Sequence, residues 1–143
     1  MKNNKIESAL RQIADANGGI LMPEHVVQAA QDKRSVLHSQ FCWDDTEAAK
    51  RYRLVQARNL IRCSVQIIDS SVGKTPVFVS LSTDRQEGGG YRLAITVMSD
   101  EEMRGQLLRD ALADLNTLQM KYRRLSELAA VFDQTKKEVE KLA

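Results

Sequence analysis

A chain of 143 residues with 43% hydrophobic and 28% charged side chains holds one ordinary domain, or a small domain with a helical appendage, and excludes two large ones. Its formal charge of +2, from 21 basic and 19 acidic residues, excludes bulk electrostatic attraction to nucleic acid or membrane, so any basic surface must be local. Aromatics make up 5%, with Trp43 the single tryptophan, which leaves burial to Leu, Ile, Val and Ala.

In chain order, Ile6, Leu10, Ile13 and Ala14 recur at helical spacing, and Asn17-Gly18-Gly19 ends that helix where positive φ is cheap. After a tight turn, Pro23 suits the first position of a second short helix, with Val26, Val27 and Ala30 on its apolar face and Asp32 to Ser35 breaking it. Residues 36–43 are bulky without clean periodicity and read as a connector anchored by Phe41 and Trp43. Asp44 with Glu47 forms a capping box for a third helix running to about Arg62.

Three strands are expected next: Cys63 to Ile68, then Val77 to Leu81, then Tyr91 to Val97, the last two alternating in hydrophobicity. Asp84 to Gly90 reads as a flexible hairpin tip, which makes the sheet antiparallel. Ser99, followed by Asp100, Glu101 and Glu102, starts a long C-terminal helix, since the hydroxyl caps free amides and the carboxylates oppose the positive end of the dipole.

No Gly or Pro follows Gly105. Leu108, Ala111, Leu115, Leu118, Tyr122, Leu125, Ala129 and Phe132 alternate steps of three and four, the spacing of a coiled-coil seam. Leu107, Leu112 and Leu128 widen the stripe, so an ordinary core-facing helix is equally compatible with it. The expected fold is α+β: a helical N-terminal part, a small three-stranded antiparallel sheet and a long C-terminal helix with that seam. The expected division is residues 1–98 as a helical and antiparallel-sheet domain, with 99–143 for packing or oligomerisation.

No catalytic constellation emerges. Gly73-Lys74-Thr75 lacks the upstream glycine of a phosphate-binding loop, the position holding Ile68, and Pro76 opposes the helix that must follow. His25, His38 and Cys42 do not have the paired spacings of a zinc site, and neither a metal nor a cofactor is expected. Cys42 and Cys63 match no disulfide framework, no apolar run approaches the ~20 residues of a bilayer span, and MKNNKIES has no secretory apolar region. A soluble chain in the cytoplasm, with no membrane partner and no enzymatic activity, is the expectation.

The third helix carries the candidate site. At 100° per residue Arg51, Arg58 and Arg62 fall within about 40° of one another, with Lys50 nearby. This stripe is either a solvated seam on a core helix, the arginine stems covering apolar surface, or a phosphate-contacting face. Two short helices around a Gly turn, a longer basic helix, and a sheet whose tip bears Arg85 follow the order of a winged helix-turn-helix.

The runs LHSQFCWDDTEAAKRYRLVQARNLIR (37–62) and VSLSTDRQEGGGYR (79–92) resemble a group of small proteins encoded by tailed bacteriophages and prophages. The resemblance spans about half the chain, its most specific element being the Trp-Asp-Asp entry to a Tyr- and Arg-rich helix. It implies an origin in an infected bacterial cytoplasm and transfers no catalytic residue. Two functions follow as expectations: a non-enzymatic nucleic-acid-binding or regulatory protein acting as a homo-oligomer, with DNA touched by Lys50, Arg51, Arg58, Arg62 and Arg85, or a module that binds a host or phage protein through its helices.

Overall fold

The computed structural model describes residues 2–67 and 71–142. Helix α1 (Lys2–Ala16) buries Leu10 and Ala14 and ends where Gly18 and Gly19 take φ of +67° and +86°. The Gly19 amide donates to the Ala14 carbonyl at 2.8 Å, satisfying an acceptor that the helix end leaves free. Strand β1 (Ile20–Leu21) follows, then α2 (Pro23–Ala30), whose proline occupies a first-turn position where no amide is needed.

A 3-10 turn at His38–Gln40 leads through Phe41 and Trp43 to α3 (Glu47–Cys63). Beyond it lie β2 (Val65–Ile67), β3 (Lys74–Pro76), β4 (Phe78–Val79), α4 (Ser82–Gln86), β5 (Tyr91–Leu93) and α5 (Ala94–Ser99). The chain closes with α6 (Glu101–Lys121), a 3-10 turn at Ser126–Leu128 and α7 (Ala129–Leu142). The fold is α+β, with the three-stranded antiparallel sheet β1-β5-β4, a separate β2-β3 hairpin and a long C-terminal helix, α6.

One apolar core joins the first three helices to the sheet. Leu10 and Ala14 from α1, Val26 and Ala30 from α2, Leu37 and Phe41 from the connector, Ala57 and Ile61 from α3, Val77 just before β4 and Phe78 on it pack together. The sheet meets β1 closely: a Cβ at Gly90 would stand 2.5 Å from Ile20 Cγ2, so only glycine fits there.

Several expectations are corrected. The sheet's third strand is β1, not the stretch after α3, because β2 pairs with β3 instead; of that first expected strand, Cys63 is the last residue of α3 and Ile68 lies outside the described residues. The expected strand Tyr91 to Val97 stops at Leu93, and Val97 is buried from α5 while Ile95 and Met98 face outward. Alternation over so few residues does not separate a strand from a helix that needs only one inward position per turn.

The supposed flexible tip at Asp84 to Gly90 is instead α4 and a Gly turn, held because Asp84 is buried against Arg92. The cap of α3 is Thr46, whose Oγ1 accepts from the Ala49 amide at 3.2 Å, rather than Asp44. Likewise Asp100 caps α6 through the Met103 amide at 2.8 Å, and Ser99 belongs to α5. The expected seam is not one continuous helix: Tyr122 ends α6, Leu125 is extended, and Ala129 and Phe132 ride on α7.

Helix α6 is fastened to the body by Asp110. Its carboxylate accepts from the Ser82 amide at 2.8 Å and the Ser82 hydroxyl at 2.7 Å, closing the start of α4, and Gln106 donates to both Ser82 Oγ and Asp110. Burial pushes the Asp110 carboxyl up, but the Ser82 and Gln106 hydrogen bonds with the nearby Arg85 outweigh it and hold it below the ordinary carboxylate value. A depressed folded-state value adds stability that is present above the unfolded carboxylate's pKa, about 3.9, and lost as pH falls through the folded value. Acid is therefore expected to loosen α6 from α4 below about pH 4. The protection of the Ser82 amide, its exchange relative to the intrinsic rate at the same pH, should fall there in the wild type, and Asp110→Asn should flatten that dependence; identical acid profiles would count against the role.

Candidate nucleic-acid interface

The sequence of α3 makes it two-sided: Ala49, Ala57 and Ile61 recur at helical spacing and are buried, which obliges the residues about a third of a turn or more away to face water. Arg51 and Arg62 are exposed and Arg58 is half-buried, so the predicted stripe lies along the outer surface. Among the described residues none of the three side chains makes a hydrogen bond or ion pair. Tyr52, 55% exposed, and Val55, 44% exposed, run beside it. Three guanidinium groups in line along one helix face, without a carboxylate partner, form an anion-attracting surface, and the exposed ring beside them offers stacking.

Two predicted members stand apart from the stripe and have partners of their own. Lys50 sits about 100° from Arg51 and pairs with Glu47 at 2.9 Å, which turns it along the first turn of the helix rather than onto the stripe. Arg85 donates to the Ser80 carbonyl and lies 4.0 Å from the Asp110 carboxylate, so its contacts run to α6 and not to α3. The predicted tip arginine is thus part of the fastening between α4 and α6.

The connector sets the entry of α3. Trp43 stacks on His38 at 4.8 Å between ring centroids and 9° between planes, and its indole N–H donates to the His38 carbonyl at 2.8 Å. His38 Nδ1 lies 2.8 Å from the Ala30 carbonyl, a contact that requires Nδ1 to carry the proton and ties the connector to the end of α2. Arg53 lies 5.2 Å from the Trp43 centroid and donates to the carbonyls of Cys42 and Asp44 at 3.0 and 2.9 Å. Arg53 stands about 160° from Arg51 round the helix, and that position is the sign in the sequence that it serves the body instead.

Order and pairing bear on the helix-turn-helix comparison. The elements run α1, β1, α2, α3, then the sheet strands β4 and β5, with β1 hydrogen-bonded to β5, and the β2-β3 hairpin inserted before β4. Helices α2 and α3 pack together, but the connection between them runs from Gln31 to Thr46 in place of a turn of three or four residues.

Among the described residues no cluster of three or more His, Cys, Asp or Glu is placed to hold a metal, and no helix is long and apolar enough to cross a membrane. Gly73, at φ +79°, leads into strand β3, so Lys74 and Thr75 do not open a helix of the phosphate-loop kind. No protein-family model, curated protein or solved structure matches the chain.

Proposed function

We propose that the chain is a non-enzymatic nucleic-acid-binding or regulatory protein of phage origin, acting as an oligomer in the bacterial cytoplasm, and that Arg51, Arg58 and Arg62 contact phosphate. The observation that carries this reading is the line of three arginines along the outer face of α3, none of them neutralised by another described residue. The order of elements, with a basic helix ahead of a small antiparallel sheet, supports it. Lys50 and Arg85 are left out because both have partners elsewhere.

Binding should be steeply salt-dependent. Three phosphate contacts per chain correspond to a loss of about fortyfold in affinity between about 50 and 200 mM salt. Changing all three arginines to Ala is expected to abolish a gel shift with a mixed-sequence duplex while leaving the circular dichroism spectrum unchanged, since none of the three side chains holds a hydrogen bond or ion pair among the described residues. Binding retained by the folded triple variant would refute the assignment of this face. The second reading, a module for a host or phage protein, draws on the uncovered apolar residues of α6 and α7; it predicts capture that survives nuclease and ignores the three arginines.

A further inference from the structure

Every buried apolar side chain of the described chain lies at or before Val97; across α6 and α7 none is buried, although the two helices carry Leu at six positions, 107, 108, 112, 115, 118 and 142. Leu108, Leu112 and Leu115 on α6 face Val131, Val139 and Leu142 on α7 across an open groove of about 670 Å³. Leu142 also lines a second open cavity with Glu101, Arg104 and Leu108, which places the end of α7 alongside the first half of α6, so the two helices run antiparallel as an open hairpin. The groove cannot be closed by turning α6 inward, because its other side, through Gln106 and Asp110, is already tied to Ser82.

The amount of surface points the same way. The chain exposes 10260 Å² at 16.1 kDa, where a compact monomer of that mass exposes about 7,400 Å². The surplus, roughly 2,800 Å², is on the scale that each partner of an obligate dimer hides, about 1,000 to 2,500 Å². Charge selects the partner: residues 101–142 hold eight basic and eight acidic side chains, so the hairpin neither repels a copy of itself nor calls for a strongly charged stranger.

We infer that α6 and α7 are one half of a four-helix bundle completed by the same hairpin of a second copy of this chain. A two-fold axis then sets groove against groove, burying the leucine and valine rows of both copies in one core. This deepens the oligomeric part of the function proposed above and stands without nucleic acid. It replaces a single continuous seam with an interface to which Val131, Val139 and Leu142 belong.

The test is sedimentation velocity of the full chain, free of nucleic acid, with thermal unfolding followed over about 10 to 100 μM protein, since a dimer's midpoint rises with concentration. The expected mass is twice 16.1 kDa, with a midpoint that rises with concentration. Leu115→Glu should abolish the dimer, whether the variant stays folded as a monomer or unfolds, and Ala113→Glu, on the opposite side of α6, should keep it. A wild-type mass other than the dimer's, a midpoint independent of concentration, or a Leu115→Glu protein that still sediments as a dimer overturns the inference. Because no nucleic acid is present, that failure is separate from a failure of the arginine face.

Discussion

Replacing Asp84 with Ala is expected to cost about 3 to 5 kcal/mol of folding stability, the largest loss from any charged residue among those described, because it strands a guanidinium whose partner is gone. Asp84 is 5% exposed and receives Arg92 in two-pronged fashion, Nε at 3.1 and 2.8 Å and Nη2 at 2.8 Å. Hydrogen bonding to Asp84 raises the Arg92 pKa above its ordinary value, against the opposing pull of burial, so the arginine stays charged at every accessible pH. Arg92 sits on β5 between Val79 of β4 and Ile20 of β1, so the stranded charge would lie in the middle strand of the sheet.

The pair and the single substitution behave differently in physical terms. Taking both charges out of water is costly, and their attraction offsets that cost only while both are present. Asp84→Ala with Arg92→Met is therefore expected to recover most of the loss, bringing the double variant within about 1 to 2 kcal/mol of the wild type. Urea unfolding of the four proteins measures this directly. A single Asp84→Ala protein within about 0.5 kcal/mol of the wild type would mean that water reaches Arg92 and the pair is an ordinary surface contact.

What could be read in advance follows from where each signal resides. The ends of α1 and α2 are marked by Gly18-Gly19 and Pro23, whose backbone restrictions act without neighbours, and both elements were legible. The cap of α3 was misplaced because Asp44, Asp45 and Thr46 are all competent; the choice is made by Arg53, which draws the Asp44 carbonyl toward itself through a side chain nine residues on. Strand β1, two residues long, carries no period at all and exists only because β5 offers it an edge.

The break between α6 and α7 was illegible for a similar reason. No Gly or Pro marks residues 122–128; the turn is made by Leu125 in an extended conformation, with ordinary residues on both sides. Local propensity would carry the helix straight through, and no residue of the turn signals otherwise. The basic stripe was legible as an angle on a helix, since Arg51, Arg58 and Arg62 recur near a whole number of turns. Its exposure depended on Ile61 and Ala57 facing the core, which only tertiary packing decides.

That two-sidedness yields the second large effect, Ile61→Ala, expected to lose about 3 kcal/mol. Ile61 is fully buried among residues from α1, α2, the connector and the sheet, so its removal leaves a space that several separately fixed elements would have to move to fill. The adjacent Arg62, exposed and about 100° round the helix, should tolerate Ala within about 0.5 kcal/mol. Denaturant midpoints and nucleic-acid affinity, measured on both variants, then separate the faces. Ile61→Ala should shift the midpoint and keep binding per folded molecule, whereas Arg62→Ala should keep the midpoint and weaken binding by a share of the three-arginine effect. If Ile61→Ala were as stable as Arg62→Ala, α3 would not be seated by its Ala57-Ile61 side, and the outward placement of the arginine stripe would fail with it.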